Sequence, residues 1–377
     1  MANETYFPTS EQFDLMNTHL DRIANSIAGT GIYTGFDGMQ RAVRSGLGPS
    51  MFPVGAQFTV EHDVYGTRVC EVLAHDYLKS AHDANAHTMT CRFKELIPAL
   101  QFDAPEAFYY ADEAIPAGTY KFTIDTSYSS WAAGTYQFTL TNALPKGGQL
   151  CINGYADAAM TARKVTAYAS RTATTPTETC DITVGNDGTS LGAFGNGLNH
   201  ASRVSYGSNN YKESAMRQFL ISSAAAGAVW KPQTKYDRPP TWNGTTAGLV
   251  KGFSADFLAV VGEVNLPCVT NTIFESQDST TPANTAYTLH DKFYLLSRCE
   301  VFGAKEIAAD ESKLLTYFEG ATNADRIGYL NGSPAVQFVR TPNSGNADGG
   351  RRVHSDGSLN SNHADNAHAL APAFTII

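Results

Sequence analysis

The sequence is short of charge, and what charge it has is mostly negative. Only 17% of its 377 residues are Asp, Glu, Lys or Arg, and acids outnumber bases 36 to 27, for a net charge of −9. A general nucleic-acid binder needs a basic stripe to displace counterions, so that class is excluded. No run of about 18 apolar residues occurs, so neither a membrane-spanning helix nor membrane insertion is expected. The opening stretch MANETYFPTSEQFDL lacks a basic n-region and an apolar h-region, so no secretory signal peptide is expected. Cys70, Cys91, Cys151, Cys180, Cys268 and Cys299 stand singly with no C-x-x-C pair, which reads as reduced structural thiols. The G-x-S-x-G elbow, the H-E-x-x-H motif and a helix-linked phosphate loop are all missing. His75 and His82 have no Cys or Glu at a ligand spacing, and Asp76, Asp83 and Glu95 read as solvated loop charge. No catalytic residue, metal or cofactor is expected.

What is present describes a globular chain, 42% hydrophobic and long enough for two or three domains. The first element is a helix, with Thr9 and Gln12 forming a capping box and Gly29 closing it. Phe13, Met16, Leu20, Ile23 and Ile27 make an a/d seam that must pack somewhere. A parallel homotrimer through that seam is the expected assembly; docking onto a second helix over Asp37–Gly46 is the alternative. Strands are expected at Gln57–Glu61, Thr67–Ala74 and Thr88–Lys94. The last alternates Met89, Cys91 and Phe93 against Thr90, Arg92 and Lys94. From about Ala107 to Val184 short strands follow one another, Tyr120–Ile124 and Tyr136–Leu140 most clearly, then Gln149–Ile152, Val165–Ala169 and Cys180–Val184. That is the texture of an antiparallel β-sandwich. Helical faces return with Tyr211, Ala215, Phe219 and Leu220, and at Ser254, which caps a turn carrying Phe257 and Leu258. Val260–Leu266, Lys292–Ser297, Gln337–Arg340 and Ala373–Ile377 read as strands.

Between Thr341 and His368 almost every large apolar side chain is gone, Val353 and Leu359 excepted. Such a segment cannot form a core layer and belongs on a surface held by a scaffold. Thirteen of its residues share a property of the genetic code. Asn343, Asn346, Asp348, Gly349, Arg352, His354, Asn360, Ser361, Asn362, His363, Asp365, Asn366 and His368 are Asn, or are reached from the Asn codon AAC by replacing only adenines. They are the candidate ligand-binding, variable positions. Arg340, Val353, Asp356, Gly357 and Leu359 lie in the frame between them and read as the scaffold of the site. Arg340 can grip a carboxylate or loop carbonyls with its planar fork. Asp356-Gly357 is a strong turn dipeptide, with Val353 and Leu359 as inward-pointing anchors. His354, His363 and His368 match no metal spacing.

That frame, R-T-P-N-S-G … R-V-H-S-D-G-S-L … A-P-A, resembles the variable proteins of diversity-generating retroelements. So do Tyr206–Leu220, Val229–Trp242, Asp256–Val264 and Asp291–Gly303. Gln337-Phe338 departs from the resemblance, standing where the family carries a Trp-Trp pair. The resemblance implies an α+β C-type-lectin-type domain with its variable region over about 337–377, split by the β-sandwich. The division would be 1–30 N-terminal helix, 31–106 first part of the lectin-type domain, 107–184 insertion and 185–377 remainder; three domains in series is the alternative. It implies receptor recognition on a phage tail or by a prophage-encoded protein made in the bacterial cytoplasm, with a cell-surface protein or glycan as partner. A structural fibre or baseplate component without diversification is the competing class. Formylglycine-generating enzymes share the fold and use cysteine chemistry, but Cys268 and Cys299 sit in strand-like apolar segments where thiols are inert.

Overall fold

A β-prone pair of runs meeting at a glycine begins the first sheet. β1 (Gln57–His62) and β2 (Gly66–His75) pair antiparallel, with Phe58 opposite Cys70. Gly66 turns the chain at φ +70°, a left-handed conformation that costs glycine little. β3 (Met89–Phe93) adds to β2, and β4 (Ile97–Gln101) leaves for a second sheet. The computed structural model describes residues 35–107, 109–124, 134–140, 142–150, 183–184, 189–190, 193–194, 203, 206–271, 284–345 and 347–377. The expected helix over Thr9–Gly29 with its trimer seam, the strand at Val165–Ala169, Asn346, Cys151 and Cys180 lie outside those residues.

The rest of both principal sheets comes from the far end of the chain: β5 (Phe293–Tyr294), β6 (Gln337–Pro342), β7 (Gly349–Val353), β8 (Leu359–His363), β9 (Ala367–Leu370) and β10 (Ala373–Ile376). One sheet runs β1-β2-β3-β10-β5 and the other β8-β7-β6-β9-β4. β10 lies antiparallel on β3, and β9 is sandwiched between β4 and a parallel β6. Strands from before residue 102 and after residue 292 thus share both sheets. Between them, Gly118–Ile124, Gly134–Leu140 and Ala193–Phe194 form a separate three-stranded sheet, and Tyr109–Tyr110 pairs with Gln149–Leu150. The chain is mixed α+β, rich in strand, with few and short helices.

Helix ends follow their caps. Ser214 accepts from the Arg217 N–H to start Ala215–Ile221, and Ser254 from the Phe257 N–H to start Ala255–Val260. The expected helix at Asp37–Gly46 runs Gly35–Arg44. The expected strand at Lys292–Ser297 is shorter, because Ser297 N-caps a helix, Arg298–Phe302, through a capping box with Glu300, closed by Gly303 at φ +71°. Cys299 therefore sits in a helix, not a strand. The core between the sheets and Ala255–Val260 is aromatic: Phe253 stacks on Phe293 at 5.0 Å, and Phe257 meets Phe374 edge-on at 5.1 Å. β3 is buried on both faces, although its alternation reads as one-sided. Arg92 is held by Glu71 (Nε to Oε1, 2.8 Å) and lies 4.9 Å over the Phe318 ring of the turn Thr316–Phe318.

Candidate functional site

The polar tail folds as a hairpin, β7 and β8, on the edge of the second sheet. Val353 faces Leu359 across it, and the turn closes where the Gly357 N–H donates to the His354 carbonyl at 2.8 Å. Asp356 accepts from the Ser358 hydroxyl (2.6 Å) and N–H (2.9 Å), and these bonds hold its carboxyl down at about 2. Gly357 has φ +81°, and a Cβ there would lie 1.7 Å from the Asn323 carbonyl oxygen. The turn can only be glycine. Val353 is buried as expected, whereas Leu359 is only half-buried. It lies on the strand at the edge of the sheet, with no outer neighbour among the described residues.

Arg340 anchors the root of the hairpin. Its guanidinium, 2% exposed, grips Glu300 with two 2.6 Å bonds and donates to the carbonyls of Leu295 (2.8 Å) and Pro267 (2.8 and 3.1 Å). Glu300 also receives the Ser297 N–H at 2.7 Å, so one carboxylate ties helix Arg298–Phe302 to β6. Both expected kinds of Arg340 partner, carboxylate and carbonyl, are in place.

Register then divides the thirteen candidates. Side chains alternate along a strand, and directly opposed residues share a face. Phe338 opposes Arg352, Arg352 opposes Asn360, and Gly350 opposes Asn362. Arg352, Asn360 and Asn362 therefore stand on one face, and His368 joins them over the Phe338 ring at 4.7 Å. Phe338 is itself buried and forms the floor. Arg352 Nη1 and Asn362 Nδ2 each lie 3.0 Å from His368 Nε2. Because a guanidinium can only donate, Nε2 accepts and the ring proton sits on Nδ1. Burial, then the charges of Arg352 and His354, keep His368 down at about 4, so the ring is neutral near pH 7. Asn366 extends the group by donating to the Asn362 side-chain oxygen at 3.3 Å.

Ser361 and His363 alternate to the opposite face, with Arg351. His363 stacks on Tyr206 at 3.8 Å and bonds the Asp348 carboxylate through Nδ1. Asp348 is fully buried and Gly349 is buried too, contrary to the expectation of an exposed position. Their backbone shapes the loop: the Gly349 carbonyl accepts from the Asn343 N–H (2.7 Å) and Asn209 Nδ2 (3.0 Å). Asp365 donates its N–H to Tyr206 and accepts from Gln101. His354 lies beside the turn, its Nδ1 3.2 Å from Asp356.

No sequence motif marks Glu306, yet it organises this region. It receives Arg351 through two 2.7 Å bonds, Arg298, and both the N–H (3.0 Å) and hydroxyl (2.8 Å) of Ser344. Burial alone would raise its carboxyl, but these donors bring it down to about 2. It sits in an aperiodic loop with no motif around it, and only the adjacent Arg351-Arg352 pair hints that one arginine needs a carboxylate.

Other chemistry is sparse among the described residues. No group of three or more His, Cys, Asp or Glu is placed to hold a metal ion, and no helix is long and apolar enough to cross a membrane. Burial pushes the Cys268 thiol up to about 12 and raises Cys299, so neither is a thiolate near neutral pH. A family model, "Domain of unknown function (DUF6273)", matches residues 160–377, more than half of the chain. The chain belongs to the DUF6273 family. That match contains the whole hairpin and its anchors Arg340, Glu300 and Glu306, while β1–β4, which pair with DUF6273 strands, precede it. No curated protein and no solved structure matches the chain.

Proposed function

We propose that this DUF6273 protein is a ligand-binding protein whose C-type-lectin-type scaffold presents a face varied by a diversity-generating retroelement, without catalysis. Its partner is a protein or glycan on a target-cell surface, met from a phage tail or by a prophage-encoded protein. One observation carries the reading: Arg352, Asn360, Asn362 and His368 share one face of a sheet, on a buried floor, next to backbone locked by Arg340 and Gly357. Side chains so placed can change without disturbing what lies beneath, which a recognition surface requires and a catalytic site forbids. The positions on the other face, Ser361 and His363, would vary within tighter limits, because His363 is engaged with Tyr206 and Asp348.

Two measurements test this. The coding DNA should lie near an imperfect repeat of the tail that differs at adenines, with a reverse-transcriptase gene beside it. Replacing Arg352, Asn360, Asn362 and His368 together by Ala should abolish binding to target cells while leaving the folded spectrum intact. Absence of the repeat, with cell binding unaffected by the quadruple change, would return the protein to the structural class of fibre and baseplate components.

A further inference from the structure

The hairpin carries two adjacent arginines with different surroundings. Arg351 is neutralised by Glu306 through two 2.7 Å bonds. Arg352, on the other face, has no carboxylate partner among the described residues. Among the described residues its Nη1 bonds the neutral His368 ring, and its Nε, cut off from water, has no acceptor. Burial accordingly draws the guanidinium below its ordinary value with no opposing charge. A half-buried arginine lacking a counter-ion is costly in the free protein. The same arginine favours an incoming anion, since guanidinium and carboxylate match as planar forks.

The neighbours narrow the anion's carrier. Asn360 is exposed, and Asn362 and Asn366 present side-chain amides beside the arginine. Amides offer a donor and an acceptor together, the pairing that vicinal hydroxyls need. Among the described residues of β6–β9 no large apolar side chain is exposed, and Phe338 is 2% exposed beneath. A peptide partner would need such anchors. We propose that this face binds the carboxylate of an acidic sugar, a uronic or sialic acid unit of a surface glycan, with Arg352 taking the carboxylate and the asparagine amides the hydroxyls.

The inference rests on the recognition reading above, and the test separates the two. Titration of the full chain with glucuronate, N-acetylneuraminate, glucose and a short Asp/Glu peptide, followed by calorimetry or amide chemical shifts, reads it directly. Both sugar acids should bind about tenfold or more tightly than glucose, the usual gain for a charge-assisted bond. Arg352→Gln should remove that preference, while Arg352→Lys, which keeps the charge but not the fork, should keep part of it. Equal affinity for glucose and glucuronate, or an unchanged preference in Arg352→Gln, would overturn the proposal; so would binding of the acidic peptide in place of the sugars. If target-cell binding still depends on Arg352, Asn360, Asn362 and His368 but glucuronate fails to compete, the sugar assignment falls and the recognition reading stands.

Discussion

Arg340→Met is the substitution whose outcome the structure determines most tightly. It removes a guanidinium that is 2% exposed and leaves Glu300, 0% exposed, without its counter-charge. Glu300 would keep the Ser297 N–H at 2.7 Å and the Tyr77 hydroxyl at 3.3 Å, which satisfy oxygens but not the net charge. The carbonyls of Pro267 and Leu295 would lose a donor as well. Breaking a buried ion pair from one side costs about 3–5 kcal/mol. That is a fall of roughly 6–20 °C in thermal midpoint for a domain of this size. Adding Glu300→Gln removes the stranded charge and keeps an acceptor for the Ser297 cap, so the double variant should be more stable than Arg340→Met alone. Chemical and thermal denaturation of the four proteins, followed by near-UV circular dichroism, gives the coupling energy. A loss below about 1 kcal/mol for Arg340→Met, or additive effects in the double variant, would show that the ion pair does not anchor the hairpin root.

Three further outcomes follow from the same geometry. Gly357→Ala should cost more than about 2 kcal/mol, combining left-handed strain with the 1.7 Å clash at Asn323, whereas Gly332→Ala, at φ +78° with open space, should cost about 1 kcal/mol; equal losses on denaturation would remove the steric argument. Leu359→Ala should cost about 1 kcal/mol because the side chain is half-exposed, against about 2–5 kcal/mol for the fully buried Leu370→Ala; a ranking reversed in urea titrations would mean the edge strand packs against something else. On pH, burial lifts Glu106 to about 7 despite Arg203, so the native state holds a proton the unfolded chain lacks, and stability should fall as pH rises from 4.5 to 7. Glu306 acts oppositely: its depressed carboxyl contributes stability above 4.5 that is lost as pH falls towards about 2. Glu106→Gln should flatten the first slope and Glu306→Gln the second, as read from denaturation midpoints against pH.

Local signals in the sequence carried the secondary structure a long way. Ser254 and Ser214 start helices because a hydroxyl at the N-cap satisfies an otherwise orphaned N–H whatever the tertiary context. Asp356-Gly357 makes its turn for an equally local reason. Two-sided burial was not legible in the same way. The polar side chains of β3 look like a solvent face, yet Arg92 is covered by Tyr317 and Phe318 from more than 200 residues away in sequence. Ser297 looks like the end of a strand because the apolar run before it suits a strand as well as a buried turn, and short apolar runs do not separate the two.

The hairpin shows why a candidate set read from composition alone could not be a surface. Codon kinship groups residues by what can be substituted, and a strand groups them by parity. Asn360, Ser361, Asn362 and His363 are alike in composition, but alternate residues point to opposite faces, so two join Arg352 and His368 above Phe338 while two turn towards Arg351 and Tyr206. Parity in turn depends on register, which the Val353–Leu359 pair and the Asp356-Gly357 turn set, and a slip of one residue would exchange the two faces entirely. The residues that decide what the face contains are therefore those outside the thirteen candidates. Gly357 admits no side chain, Arg340 cannot leave Glu300 uncompensated, and Glu306 holds Arg351 on the far side, while Arg352 on the near side has no counter-ion among the described residues.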